Sequence, residues 1–171
     1  MKKSIHSDSL IATQRIAKEL AKTILESPGR SFTRFKDKSL ERPLEQSSLL
    51  QPKKKGAFVL ALKGELGAGK TSFVQGLAKG LGIKKNVLSP TFLIVKPYNL
   101  KKERMFYHID CYRLKNAKEL LQLEWKEIIK NPQNIVAIEW ADRVKSVIPK
   151  DALWISFAHG NELTKRKIVI G

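Results

Sequence analysis

Apolar residues recur along the chain at spacings that separate helices from strands. Residues 8–26 carry apolar side chains three and four positions apart, which predicts an amphipathic helix. Ser7 or Asp8 is expected to cap its first turn. One face of this helix should be buried, with Thr13, Ile16, Ala17, Leu20 and Ile24.

A polar, basic segment without clear periodicity follows at residues 29–55. A stretch of this length without structure is uncommon inside a domain, so we expect a mobile surface insertion. Its composition fits a solvated linker better than a binding arm, although both interpretations stay open.

Continuous apolar runs in the remainder predict buried strands. The run AFVLALK at 57–63 enters a glycine-rich turn, which is typical of a buried parallel strand followed by a helix. Residues 91–99 and 104–112 predict a hairpin, and 134–140 predict a further buried strand. A single helix is expected at 117–129, and ALWISFAHG and KRKIVIG should form a final strand pair.

Composition restricts the class of protein. The chain has 171 residues and a formal net charge of +17, which favours RNA or acidic partners but also fits a surface made soluble by lysines. No apolar run is long enough to span a membrane. The single cysteine, Cys111, excludes an internal disulfide and a cysteine-based metal site, so we expect a cytoplasmic protein.

The segment GELGAGKT matches the phosphate-loop pattern G-x-x-x-x-G-K-[ST] at each fixed position. Glycines let backbone N–H groups turn towards phosphates, and the following helix adds its positive end. We therefore expect a phosphate chain at the loop, with Lys70 at its β- and γ-phosphates and Thr71 at Mg²⁺. The predicted nucleotide-binding residues of the loop are Gly64, Glu65, Leu66, Gly67, Ala68, Gly69, Lys70, Thr71 and Ser72.

This loop specifies the fold class more closely. The order of elements predicts a single α/β domain over residues 1–171, with a P-loop NTPase-like mixed sheet. The sheet should have a parallel centre and antiparallel margins, flanked by helices.

Two carboxylates follow apolar strand runs, Asp110 after MFYHI and Glu139 after IVAI. A carboxylate at a strand end is often a turn or helix cap. Beside a phosphate loop, however, the pair favours a role with Mg²⁺ and the attacking water. The predicted metal-binding set is therefore Thr71, Asp110 and Glu139.

The segment LSPTF at 88–92 lies between the first central helix and the next strand. Switch loops that sense the γ-phosphate occupy this place in phosphate-loop proteins, although a Ser-Pro turn would look the same. We expect Ser89, Pro90 and Thr91 to form such a loop. A small-molecule or nucleotide kinase is the alternative, but the only lid candidate, at 112–118, is short and holds one arginine.

Four stretches in order, GELGAGKT, SPTF, YHIDCYRL and IEWADR, resemble the TsaE family, small P-loop ATPases of bacterial tRNA threonylcarbamoyladenosine synthesis. The resemblance extends from about Ala57 to Arg143, and the N-terminal helix around Thr13 also fits. It implies ATP hydrolysis in service of a TsaB–TsaD type heterodimer that modifies tRNA, with tRNA contact through that complex.

The resemblance also implies roles for individual residues. Asp110 and Glu139 would be needed for hydrolysis, and Thr13 and Trp140 would lie near the nucleotide. Trp140 could equally pack in the core. The basic segment at 29–55 and the strong basicity depart from the usual pattern. A nucleotide-dependent RNA-binding module without hydrolysis is a further rival.

Overall fold

The computed structural model describes residues 3–26, 56–162 and 164–171. The predicted insertion at 29–55 lies outside these ranges and stays a prediction. No helix among the described residues is both long enough and apolar enough to cross a membrane.

Within the described residues, seven strands form one mixed sheet in the order β1-β7-β6-β2-β5-β4-β3. The four central strands, β6, β2, β5 and β4, are mutually parallel, whereas β3, β7 and β1 pair antiparallel at the margins. This arrangement confirms the predicted fold class. The strands are β1 (Lys3–Ser7), β2 (Phe58–Gly64), β3 (Val95–Asn99), β4 (Met105–Asp110), β5 (Ile135–Glu139), β6 (Leu153–His159) and β7 (Arg166–Ile170).

Helices cover both faces of the sheet. The two long helices, α1 (Leu10–Glu26) and α2 (Lys70–Gly80), pack on one face with side chains of β2, β5 and β6. The second face is covered by α3 (Ala117–Leu121), α4 (Trp125–Lys130) and a 3₁₀ segment, Ala141–Val147. The predicted apolar face of α1 is buried, which confirms the periodicity.

Helices α1 and α2 approach closely because glycine occupies the contact. A Cβ atom on Gly76 would lie 2.2 Å from the backbone oxygen of Gln14, and one on Gly80 would lie 2.6 Å from Ala21 Cβ. Side chains at these positions would therefore push the helices apart. This close contact fixes α1 beside the start of α2, where the phosphate loop lies.

The helix cap differs from the prediction. Ser9, and not Ser7 or Asp8, accepts the hydrogen bond from the N–H of Ala12, at 3.1 Å. The Ser7 hydroxyl instead contacts Thr13 Oγ1 at 2.8 Å and donates to the Ser9 carbonyl at 2.9 Å. Ser7 is the last residue of β1 and not part of the helix. The sequence analysis missed this strand because only two of its residues, Ile5 and Ser7, are buried.

The single helix expected at 117–129 is two short helices. Glu124 adopts a left-handed backbone conformation (φ 57°) between them. The bend allows the Trp125 ring to be buried while its Nε1–H donates to the Val147 carbonyl at 3.0 Å. Burial of a large ring with its donor satisfied outweighs the local helical preference.

The strand expected from residue 91 begins only at Val95. The N–H groups of Leu93 and Ile94 both donate to the Pro90 carbonyl, which closes a turn, and Ile94 has a positive φ of 63°. Residues 91–94 therefore form a turn that precedes β3 and is not part of the sheet, so Thr91 lies in a loop and not in a strand.

Candidate functional site

A cleft of about 520 Å³ opens where the central parallel strands end. In open parallel sheets, ligands bind outside the carboxyl ends of the strands. Residues from the start of α1 to β7 line this cleft: Leu10, Leu66, Gly67, Gly69, Lys70, Thr71, Ser72, Ser89, Thr91, Asp110, Tyr112, Glu139, Trp140 and Arg166.

The phosphate loop connects β2 to α2 along the floor of this cleft. Gly67 and Gly69 have φ values of 76° and 102°, in the left-handed region that favours glycine. A Cβ atom on Gly64 would lie 2.3 Å from the backbone oxygen of Phe157. The pattern therefore requires glycine for its backbone shape. The amino terminus of α2, with N–H groups that no helical carbonyl can satisfy, faces the same space.

The Lys70 side chain is folded back onto the loop and buried. Its ammonium donates to the carbonyls of Gly64 at 2.7 Å and Glu65 at 2.8 Å, and lies 3.7 Å from the centre of the Trp140 ring. Burial lowers the pKa of Lys70, whereas the carboxylates of Glu139 and Asp110 oppose this shift. The Lys70 ammonium is thus held beside the loop by two backbone carbonyls, and the oxygens of a bound anion could take their place as acceptors.

Glu139 lies at the end of β5 with both carboxylate oxygens engaged. Oε2 accepts from the Thr71 hydroxyl at 2.8 Å, and Oε1 lies 2.8 Å from His108 Nε2. The loop threonine and the strand-end carboxylate, which are 68 residues apart in the chain, are therefore in direct contact.

His108 supports this carboxylate from below. Its side chain is fully buried, and its Nδ1 has no hydrogen-bond partner among the described residues. Because the facing Glu139 carboxylate is an acceptor, we assign the proton to Nε2, which then donates to it.

Asp110 lies at the end of β4, beside Glu139 in the register of the parallel pair. Its Oδ2 accepts from the hydroxyls of Ser89 at 2.5 Å and Thr91 at 2.7 Å, and its Oδ1 accepts from the Tyr112 N–H at 2.9 Å. The segment predicted as a switch loop is therefore bonded to one of the two predicted catalytic carboxylates.

Trp140 follows Glu139 directly and has a left-handed backbone (φ 58°). Its half-buried ring lines the cleft, packs at 5.1 Å from the Tyr112 ring and covers Lys70. A bulky residue with positive φ costs about 1–3 kcal/mol, and such strain concentrates at functional sites. The structure thus places Trp140 at the cleft and not wholly in the core.

Several predicted residues do not line the cleft. Thr13 is fully buried, and its hydroxyl contacts Ser7 and donates to the Ser9 carbonyl. It lies behind the loop, since a Cβ on Gly69 would be 3.9 Å from Thr13 Cγ2. The residues absent from the lining are Thr13, Gly64, Glu65, Ala68 and Pro90.

Other cleft residues were missed by the sequence analysis. Arg166 reaches the cleft from β7, and its Nε lies 4.0 Å from the position of a Cβ atom on Gly69. A basic residue at the start of an apolar strand is the one sequence signal for it. Tyr112 lines the cleft, whereas His108 contacts Glu139 without lining it. Both lie two residues from Asp110, and His108 shares its face of β4.

The donor set fits a magnesium ion. Within the described ranges, no group of three His, Cys, Asp or Glu side chains could hold a metal on its own. Mg²⁺ does not require such a cage, because it keeps several waters and uses one or two protein oxygens together with substrate phosphates. The Thr71 hydroxyl and the Glu139 and Asp110 carboxylates are the available oxygens.

The sheet order and the loop at the end of β2 define a P-loop NTPase-like α/β protein. A family model described as "Threonylcarbamoyl adenosine biosynthesis protein TsaE" matches residues 8–168. The chain belongs to the TsaE family, whose members act in tRNA threonylcarbamoyladenosine biosynthesis.

Individual relatives agree with this assignment. The tRNA threonylcarbamoyladenosine biosynthesis protein TsaE of Bacillus subtilis is 43% identical over 97 residues, which are 57% of this chain and 59% of that protein. The match therefore spans less than two thirds of this relative. The TsaE of Treponema pallidum is 39% identical over 106 residues, 60% of this chain and 76% of that protein. The crystal structure of Bacillus subtilis YdiB aligns with a TM-score of 0.64 at 26% identity, covering 99% of this chain and 84% of that one.

Proposed function

We propose that this chain is a Mg²⁺-dependent ATPase that acts on a TsaB–TsaD type complex during threonylcarbamoyladenosine modification of tRNA. The observation that carries the proposal is the pair of contacts around the loop: Thr71 with Glu139, and Ser89 and Thr91 with Asp110. Residues from four separate segments, for which we propose nucleotide, metal and switch roles, thus meet in one cleft.

Each residue has a role that its position supports. The glycine-rich backbone and the amino terminus of α2 would bind the phosphates, and the Lys70 ammonium would exchange its carbonyl partners for phosphate oxygens. Bound Mg²⁺ would neutralise charge on the β- and γ-phosphates. Asp110 and Glu139 would orient the attacking water and accept its proton.

The switch loop supports a dependence on a partner. Phe92 and Leu93 are 82% and 68% exposed, although they directly follow Thr91, which is bonded to Asp110. A protein that covered these apolar side chains would act on the hydroxyls of Ser89 and Thr91 through the backbone. We therefore propose slow hydrolysis by the chain alone, in the cytoplasm, and faster or repeated turnover with the TsaB–TsaD type complex.

Calorimetry and phosphate release test the proposal together. Lys70→Ala should weaken ATP binding at least tenfold, because each lost charge-assisted contact is worth about 1.5–3 kcal/mol. Lys79→Ala removes an exposed lysine of the same helix and should leave binding unchanged.

In a second experiment, the TsaB–TsaD type complex from the same cell is added to the chain and phosphate release is measured. It should raise phosphate release by this chain and should not do so with Lys70→Ala. Equal ATP affinity of folded Lys70→Ala and wild type would refute the site. Rapid phosphate transfer to a metabolite, without any response to the complex, would instead support the kinase alternative.

A further inference from the structure

A second cleft, of about 700 Å³, lies at the amino ends of the central parallel strands, whereas the phosphate loop lies at their carboxyl ends. Strand β4 runs from Met105 to Asp110 parallel to β2, so the β3–β4 turn before Met105 lies where the parallel strands begin. The end of α2 and this turn line the second cleft, which includes Gly82, Lys101, Lys102 and Arg104.

Three basic residues line this cleft, Lys101, Lys102 and Arg104, and two more, Lys84 and Lys85, follow its lining residue Gly82 in the chain. We call these five residues the basic edge. Lys84 and Lys85 follow Gly82 by two and three residues, so their backbones lie within about 7 and 11 Å of that lining residue. Glu26, which also lines the cleft, and Glu103 offset two of the five charges and leave a net charge of +3.

The basic edge carries charge that ion pairs with described residues do not neutralise. None of its five residues forms an ion pair with any described residue, whereas the exposed lysines Lys22, Lys130 and Lys165 each bond to a glutamate three positions away. Unpaired like charges repel one another and oppose folding slightly. A polyanion bound from outside the chain would relieve this repulsion, so the basic edge is suited to binding one.

The turn itself is not optimised for its backbone shape. Lys102 and Glu103 have φ values of 60° and 55°, and the Leu100 N–H donates to the Arg104 carbonyl at 2.9 Å. Glycine or asparagine adopts this conformation with less strain and is the usual residue at such positions. The chain instead places consecutive lysines, Lys101 and Lys102, at the tip.

We propose that the basic edge binds the phosphate backbone of RNA, and specifically of the tRNA that the proposed function implies; the inference rests on that function. A membrane surface fits less well, because lipid-binding surfaces combine lysines with exposed apolar side chains. Among the described residues, the exposed large hydrophobic side chains lie elsewhere, at Leu10, Ile11, Leu66, Leu88, Phe92, Leu93, Tyr112 and Leu121. The cleft at this edge and the nucleotide cleft lie at opposite ends of the parallel strands, so a partner on the nucleotide cleft need not cover the basic edge.

The test is the salt dependence of tRNA binding by the full chain. Fluorescence anisotropy with labelled unmodified tRNA would be measured over a salt series for wild type and for a variant with Lys101→Gln, Lys102→Gln and Arg104→Gln. Each phosphate contact contributes about 0.7–0.9 to the slope of log K against log salt. We expect the slope of the variant to fall by about 2–3 and its affinity at low salt to fall about tenfold or more.

A matched control removes three positive charges from the face of the sheet that α3, α4 and the 3₁₀ segment cover. Lys118→Gln, Lys126→Gln and Lys145→Gln together change three exposed lysines on and after α3 and α4. An equal fall of the slope in this control would mean that only total charge matters and would overturn the proposal.

Further outcomes are equally decisive. Absence of tRNA binding by wild type, combined with weaker association of the basic-edge variant with the TsaB–TsaD type complex, would replace RNA by an acidic protein. Loss of the slope on deletion of residues 30–54 alone would place the contact in that segment and not at the edge. ATP binding by the edge variant should equal that of wild type, so failure of the RNA proposal and failure of the ATPase proposal are distinguishable.

Discussion

His108 Nε2 lies 2.8 Å from Glu139 Oε1, and both side chains are buried. The second carboxylate oxygen of Glu139 is held by the hydroxyl of Thr71, so the carboxylate is fixed from both sides. A carboxylate that is immobilised in this way would need little reorganisation if charge developed beside it, as the proposed hydrolysis requires.

Substitution of the two strand-end carboxylates should separate binding from hydrolysis. Glu139→Gln and Asp110→Asn keep the size of the side chain, exchange one acceptor oxygen for an amide donor, and remove the charge that we propose orients water and accepts its proton. We expect ATP affinity within about threefold of wild type and a loss of turnover of about 10²-fold or more. Calorimetry and phosphate release would measure the two effects. Wild-type phosphate release in either variant would make that carboxylate structural.

His108 is expected to act as a positioning residue through Glu139. His108→Leu removes the donor, whereas His108→Gln places an amide N–H near the position of Nε2. The leucine variant should lower kcat about tenfold or more with little change in KM, because a lost hydrogen bond to a charged group costs about 1.5–3 kcal/mol. The glutamine variant should recover part of kcat.

Unfolding controls complete this comparison. If His108 served packing alone, the two variants would lose kcat in proportion to their loss of stability. Equal kcat for both variants, at similar denaturant midpoints, would contradict the positioning role.

The contact between α1 and α2 should not tolerate a methyl group. Gly76→Ala places a Cβ atom 2.2 Å from the Gln14 oxygen, so the helices must separate. We expect a loss of about 1–3 kcal/mol in the free energy of unfolding, measured by urea denaturation. Gly82→Asn is the control, because asparagine tolerates its φ of 88° and nothing lies within 4 Å of the added Cβ. Similar losses in both variants would contradict the packing argument.

Cys111 should be unreactive in the folded protein. Burial, with a smaller contribution from Asp110, raises the pKa of its thiol to about 12. At pH 8 the thiolate fraction is then about 10⁻⁴, and the side chain is inaccessible as well. A disulfide reagent should label the native chain only slowly and the denatured chain at once.

The same shift predicts a pH dependence of stability. The neutral thiol is favoured by folding, so its contribution is complete below the ordinary thiol pKa of about 9 and decreases between pH 9 and 12. Cys111→Ala should remove that part of the alkaline decrease in the free energy of unfolding.

For the labelling experiment, rapid reaction of the native chain at pH 8 would show that the Cys111 thiol is exposed or ionised.

The sequence predicts the parts of the site that local pattern encodes. Thr71 follows from motif spacing, and Asp110 and Glu139 follow from apolar runs that end in a carboxylate. The contact of His108 with Glu139 could not be predicted, because it depends on the parallel register of β4 against β5. Arg166 reaches the cleft only because of the strand order, which a hydrophobic pattern does not encode.

The errors in secondary structure have the same origin. The break at Glu124 depends on where the Trp125 ring finds space and a hydrogen-bond acceptor, which is a tertiary effect. The late start of β3 reflects hydroxyl groups of the preceding loop that bond to Asp110. Local propensity describes neither contact.

The cleft takes lining residues from Leu10 in the first long helix to Arg166 in the last strand. During synthesis on the ribosome, the phosphate loop emerges about a hundred residues before Arg166 does. A nascent chain cannot complete the cleft until β7 has joined the sheet between β1 and β6. A complete cleft would therefore form only after most of the described chain has been synthesised, long after the phosphate loop itself has emerged.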